Sequence, residues 1–419
     1  MDRRDFLKMV GTVVPAWGYV PLANAQSPLY TGRILINIHA SGGLDASSWT
    51  DPREKDPAMN NYAAALTPAG VAGNIRFAPM GSNAAFFTKY FSNMLVINGV
   101  NSETNSHEDG TRTHATGRLD MGYPTMAELF AFTYGRGLPM PWLNSGAYSV
   151  SAGLLPATGV PDQNTFRALV APNTASATND FMKQADLNKA WAARAQRMQA
   201  IQTSGTALPK QSVLADQFGS TTSSRALMQQ VSTFIPATFD TPFTQAHVAL
   251  IAAQAGITST IQLASGGFDG HSQLATAYAT ALPRLTDLVD YIWQKSAALN
   301  LSNRIFLRIY SEFGRTPLNT GNGKDHWSVG SQVLMEASPA WGNRVIGASG
   351  PKHEQLKINT ATGAVDPVNG VVIKPRHIHD AVRKYLGFTT TDTKFNLKVP
   401  ATENFDFFNP AVSTGYPNL

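Results

Sequence analysis

Cysteine is absent from all 419 residues. Neither a disulfide nor a thiolate metal site is therefore available, and any metal must be held by Asp, Glu, His or carbonyl oxygen. Charge is also scarce. Asp, Glu, Lys and Arg make up 15% of the chain, and the net charge is only +5. The basic residues are scattered, so the chain carries no nucleic-acid footprint and only a weak pull on anions. Long apolar runs are missing too. The stretch from Met9 to Leu22 is short and is broken by Gly11, Pro15, Gly18 and Pro21, which excludes a transmembrane span there. There is no internal repeat and no long low-complexity segment. What remains is an ordinary apolar fraction of 43%, enough for one large α/β domain.

The chain opens Met1-Asp2-Arg3-Arg4-Asp5-Phe6-Leu7-Lys8, which matches the twin-arginine export signal. The broken apolar stretch follows, then Ala23-Asn24-Ala25 as a cleavage pattern. Residues 1–25 are thus expected to be a twin-arginine signal peptide. The mature chain, 26–419, is expected in the periplasm or outside the cell.

Hydrophobic runs predict strands at Arg33–His39, Met94–Asn98, Ser259–Ala264 and Arg304–Tyr310. Amphipathic stretches predict helices near 84–91, 125–134, 244–255, 273–298 and 376–386. The segments Phe181–Ile201 and Ser223–Phe234 read as helical within a Gly/Ser/Thr/Pro-rich region, so a helical insertion is expected at about 175–240. Strands alternating with helices imply a mainly parallel sheet covered on both faces, a three-layer α/β/α sandwich.

Three of these strands run into a loop carrying Gly and a carboxylate: Asp45, Asp269 and Glu312. Parallel strands bring such loops to one edge, where open α/β sheets bind ligands. His271 follows Asp269 by two residues, and Asp325-His326 closes the loop after Glu312. Asp, Glu and His without Cys suit Zn²⁺, Mn²⁺, Mg²⁺ or Ca²⁺, as one or two ions. Each residue also has a structural reading. Asp45 could cap the next helix, and Glu312 could pair with Arg315.

These blocks carry a resemblance. Gly42-Gly43-Leu44-Asp45, His107 with Thr116-Gly117, Gly266-Gly267-Phe268-Asp269-Gly270-His271-Ser272-Gln273, and Ser311-Glu312-Phe313-Gly314-Arg315-Thr316-Pro317 leading to Asp325-His326-Trp327 are similar to the exported bacterial family called domain of unknown function 1501. That family in turn resembles the alkaline phosphatase and sulfatase superfamily. The resemblance implies an alkaline phosphatase-like fold and a divalent-metal site. The ligand candidates are Asp45, Asp269, His271, Glu312, Asp325 and His326. His107, nine positions before Thr116, falls where the superfamily keeps its nucleophile, and is read as nucleophile, ligand or acid/base group. The polar segment around it leaves a solvated loop as the alternative. Arg315 is read as a clamp on an anionic oxygen. Phe313 stands where a ligand His is expected, which puts a second ion in question. The implied activity is hydrolysis of phosphate or sulfate esters on a small anionic substrate. The alternative is a non-catalytic binding or assembly protein on the same fold. An exported partner from the family called domain of unknown function 1800 is also implied.

Overall fold

In the computed structural model of the chain, residues 29–53, 59, 68–170, 183–204, 208, 228, 231, 234–317, 323–389 and 394–417 are described. The expected signal peptide, 1–25, lies outside them, as does much of the expected insertion at 175–240.

Eight strands form the central sheet: β1 Ile34–Ser41, β4 Met94–Asn101, β5 Trp142–Ser145, β6 Thr158–Gly159, β7 Thr260–Gly266, β8 Ile305–Tyr310, β11 Val329–Glu336 and β12 Arg344–Ile346. Three two-stranded ribbons account for the remaining numbers: β2 Gly70–Ala72 with β3 Ile75–Phe77, β9 Gly314–Arg315 with β10 His326–Trp327, and β13 Lys357–Ile358 with β14 Val371–Val372. The sheet order is β12-β4-β11-β8-β1-β7-β5-β6. Every neighbouring pair is parallel except those of β11, which runs against both β4 and β8.

The helices are α1 Asn83–Tyr90, α2 His107–Thr116, α3 Met126–Gly135, α4 Gln163–Val170, α5 Gln184–Thr203, α6 Thr244–Gln254, α7 Leu274–Ala298 and α8 Pro375–Leu386. Among the described residues, no helix is long and apolar enough to cross a membrane.

Strand alternation builds the layers. In β1, Ile34, Ile36 and Ile38 enter one core with Phe87 of α1, Leu250 of α6 and Leu285 of α7. Leu35 enters the opposite core with Phe130 of α3 and Ile378 and Val382 of α8. The sheet therefore lies between two helical layers, the fold class expected from the sequence. On the Leu35 face, the alternation also points Asn37 and His39 away from the isoleucine core.

The parallel register sets the site's position. Ser41 pairs with Gly266, and His39 with Tyr310, so the loops after β1, β7 and β8 leave the same edge together. Gly42 and Gly43 turn that corner with φ of 119° and 86°. A Cβ on Gly42 would lie 2.3 Å from the Asp269 backbone nitrogen. Only glycine lets these two loops touch.

Candidate metal centre at the sheet edge

Glu312 is the buried pivot. Its Oε1 accepts from the Gly42 backbone N–H at 2.8 Å and from His107 Nδ1 at 2.8 Å. Its Oε2 accepts from His39 Nε2 at 2.9 Å and Ser311 Oγ at 3.0 Å. Burial alone would raise its pKa. Hydrogen bonding and charge from His39, with further bonds from its own backbone and His107, instead hold it well below the ordinary carboxylate range. A carboxylate only accepts, so both histidine nitrogens facing it carry protons. Four donors occupy Glu312, and it does not face the imidazole cluster as a ligand.

His107 begins α2. Ser106 caps that helix by accepting from the Asp109 N–H, and Gly117, with φ 81°, ends it in the left-handed conformation. The segment is a helix start rather than the solvated loop held open as its alternative. The Ser-x-x-Asp start and the Thr-Gly end are both visible in the sequence and could have found it. With Nδ1–H on Glu312, the lone pair of His107 is on Nε2, 3.8 Å from Asp269 Oδ2.

His326 is oriented the same way from the other side. Its Nδ1 donates to the Asn105 carbonyl at 2.8 Å, leaving Nε2 as the lone-pair nitrogen. Burial, opposed by that carbonyl and aided by Arg315, His107 and His271, lowers its pKa. His326 Nε2 is 3.0 Å from His271 Nε2 and 3.9 Å from Asp269 Oδ1. His271 also lies 3.1 Å from Asp269 Oδ1 and 3.4 Å from Asp325 Oδ1. Among the described residues, two overlapping sets could hold an ion: His107, Asp269 and His326, and His271, Asp325 and His326, each with ligand atoms within 4.8 Å of one another. The donor chemistry fits a cation. Two imidazole nitrogens on one tetrahedral Zn²⁺ sit about 3.3 Å apart, given Zn–N near 2.0–2.1 Å. Within the set His107, Asp269 and His326 the imidazole–carboxylate contacts of 3.8 Å and 3.9 Å leave room for an ion, whereas the 3.0 Å between His271 Nε2 and His326 Nε2 is a hydrogen bond.

Asp45 lies apart from this cluster, and the Arg315 side chain reaches it through Asp269. Asp45 is fully buried and caps the short helix Ala46–Ser48. Its Oδ2 accepts from Ser47 Oγ at 2.8 Å, Ser48 Oγ at 2.7 Å and Lys324 Nζ at 3.0 Å. Burial works against its ionisation, but Lys324, His353 and the two serines outweigh it and lower its pKa. Asp45 thus has a resident cation, Lys324, which sequence reasoning passed over. Arg315, expected as an anion clamp, has a fully buried side chain. Its Nε donates to the Gly43 carbonyl at 3.0 Å, Nη1 to the Lys324 carbonyl at 3.1 Å, and Nη2 to the Gly42 carbonyl and Asp269. The left-handed glycines turn their carbonyls inward, and these buried acceptors need a donor. Arg315 therefore brackets three loops together and pairs with Asp269 rather than Glu312. Phe313 is buried and packs its ring 4.8 Å from that of His107 and 4.5 Å from that of His326.

A family model described as "Protein of unknown function (DUF1501)" matches residues 33–355. The chain belongs to the DUF1501 family. No curated protein matches this DUF1501 member. Solved structures to which the chain is similar include the lipoteichoic acid synthase LtaP from Listeria monocytogenes, at 9% identity, 91% of this chain, 76% of that one and TM-score 0.37. They also include a mutant alkaline phosphatase of the Antarctic bacterium TAB5 with Mg bound, at 10% identity, 87% and 100% coverage and TM-score 0.35. A third is a 2-O GAG sulfatase, at 8% identity, 87% and 72% coverage and TM-score 0.33.

Proposed function

We propose that this DUF1501 protein is a hydrolase of phosphate or sulfate esters working with one divalent cation. His107, Asp269 and His326 would hold the ion, with His271 and Asp325 at its exposed side. The observation that most supports this is the paired orientation of His107 and His326. Each has Nδ1–H committed to a protein acceptor, Glu312 or Asn105, and a lone pair on Nε2 beside Asp269. A histidine with one nitrogen tied to a carboxylate or carbonyl and the other free is the usual form of a metal-ligating imidazole. Both candidate sets share His326, whose Nδ1 is held by Asn105, so its one remaining lone pair, on Nε2, serves one ion.

When bound, a divalent cation supplies Lewis-acid polarisation of an ester oxygen and neutralises developing negative charge. The chain's own residues do the rest. Arg315 and Glu312 fix the loops that carry the ligands. Phe313 gives the imidazoles an apolar floor that excludes water from one side. Imidazole-rich donors favour Zn²⁺-like ions over Mg²⁺ or Ca²⁺, which prefer oxygen. The test is elemental analysis of protein purified without chelator, followed by a screen on aryl phosphates, phosphodiesters and aryl sulfates. One ion per chain and chelator-sensitive turnover are expected. Metal-free protein that stays inert with added Zn²⁺, Mn²⁺, Mg²⁺ and Ca²⁺ would leave a binding or assembly role instead.

We further propose that residues 1–25 direct export by the twin-arginine route. Replacing Arg3 and Arg4 by Lys is expected to keep the precursor in the cytoplasm. Mature protein in the periplasm of a strain lacking that translocase would refute the route.

A further inference from the structure

Behind the cluster sits a histidine that touches none of its ligands. His39 belongs to β1, and its side chain is 6% exposed. Its ring stacks on that of Tyr310 at 5.0 Å and 12°, which fixes the ring plane. Its Nε2 meets Glu312 Oε2 at 2.9 Å. The other carboxylate oxygen, Oε1, receives His107 Nδ1. One buried carboxylate thus lies between two imidazoles, one facing the interior and one facing the candidate site.

We infer that His39 is a positioning residue that acts through Glu312 to set the tautomer and aim of His107. The argument is one of donor counting. While His39 donates to Oε2, the carboxylate is held with Oε1 turned to His107. A neutral His107 then carries its proton on Nδ1 and its lone pair on Nε2. Without the His39 donor, Oε2 keeps only Ser311, whose hydroxyl also points at the Ala40 carbonyl at 2.7 Å. A buried carboxylate short of a donor on one oxygen turns toward other donors, and that movement releases His107 Nδ1. The consequence for metal affinity rests on the proposed metal site; the tautomer itself does not.

Two variants separate the donor from the packing. His39→Phe keeps a ring for Tyr310 and removes the donor, whereas His39→Gln keeps an N–H. Nitrogen-15 NMR of histidine-labelled, metal-free protein reads the tautomers directly, with His107→Asn to assign the signal. Co²⁺ titration followed by visible absorbance reads the ligand geometry, and thermal unfolding checks the fold. The wild type and His39→Gln are expected to show His107 protonated on Nδ1 and Co²⁺ affinities within a few-fold of each other. His39→Phe is expected to lose the single Nδ1–H form and to bind Co²⁺ about tenfold or more weakly, the range for loss of an outer hydrogen-bond partner. If His39→Phe does not fold, His39→Met replaces it with the same expectations. A donorless variant that keeps the Nδ1–H form of His107 overturns the inference, whatever its stability. Wild-type protein that binds no Co²⁺ sinks the metal reading, while the tautomer comparison still decides on His39.

Discussion

Replacing Lys324 by Met removes the cation that Asp45 depends on. The Lys324 ammonium is fully buried and reaches Asp45 Oδ2 at 3.0 Å, Ser47 Oγ at 2.7 Å and the Met59 carbonyl at 2.6 Å. The variant leaves a carboxylate at 0% exposure with only Ser47 and Ser48 as donors. Breaking a buried pair from one side costs about 3–5 kcal/mol. For a chain of 419 residues, an unfolding entropy of about 2.1 cal/mol/K per residue gives roughly 0.9 kcal/mol/K, so Tm should fall by about 3–6 °C. Asp45→Asn with Lys324→Met leaves no buried charge and should recover most of that loss. The acid limb carries the sign. Asp45's folded-state pKa is depressed, so its contribution is present above its unfolded pKa of about 3.9 and is lost as pH falls through the folded value. Wild type should therefore begin to lose this increment as pH falls below about 3.9 and go on losing it down to the lower folded value, and the double variant should not. Denaturant titrations at pH 7 and pH 3.5 measure both effects. A single variant within about 1 kcal/mol of wild type, or a double variant no better than the single, would refute the pairing as the reason Asp45 is ionised there.

His107→Ala separates ligand from nucleophile. Loss of bound metal is the expected result, and unchanged metal with abolished turnover would make the imidazole the attacking group. Gly42→Ala should cost about 1–3 kcal/mol from its left-handed backbone alone, with more from a Cβ 2.3 Å from the Asp269 nitrogen; a Tm equal to wild type would show that the two loops can part.

Much of the sheet is legible because its inner strands are buried on both faces and read as continuous apolar runs, as in Ile34–Ala40 and Ile305–Tyr310. Their carboxyl ends are marked by Gly and a carboxylate, so the convergence of Asp269, Glu312 and the histidines near them follows from parallel register. β11 is not legible in the same way. It begins at Val329, with one residue between it and Trp327, and among the described residues no helix separates it from β8, because it runs antiparallel and needs no crossover. Roles within the site depend on contacts that local pattern does not contain. His39 lies 273 positions from Glu312, and Lys324 lies 279 from Asp45. Carboxylates at strand ends look alike in sequence; the donors that reach them decide which stay free.

That sorting bears on the number of ions. Glu312 spends its oxygens on Gly42, His107, His39 and Ser311. Asp45 is neutralised by an ammonium that belongs to the chain. Phe313 offers no lone pair and wedges its ring beneath His107 and His326, so closely that a Cβ on Gly43 would lie 2.5 Å from it. Among the described residues, Asp269, Asp325, His107, His271 and His326 keep ligand atoms facing one another, and both of their groupings share His326. Were Asp45 or Glu312 to hold a second ion, each would first have to shed buried donors. Displacing Lys324 from Asp45 would strand the ammonium without its anion, a cost on the order of several kcal/mol. On the proposed reading the chain has one place for an exchangeable cation beside one permanent cation, Lys324, which anchors the loop on which Asp325 and His326 stand.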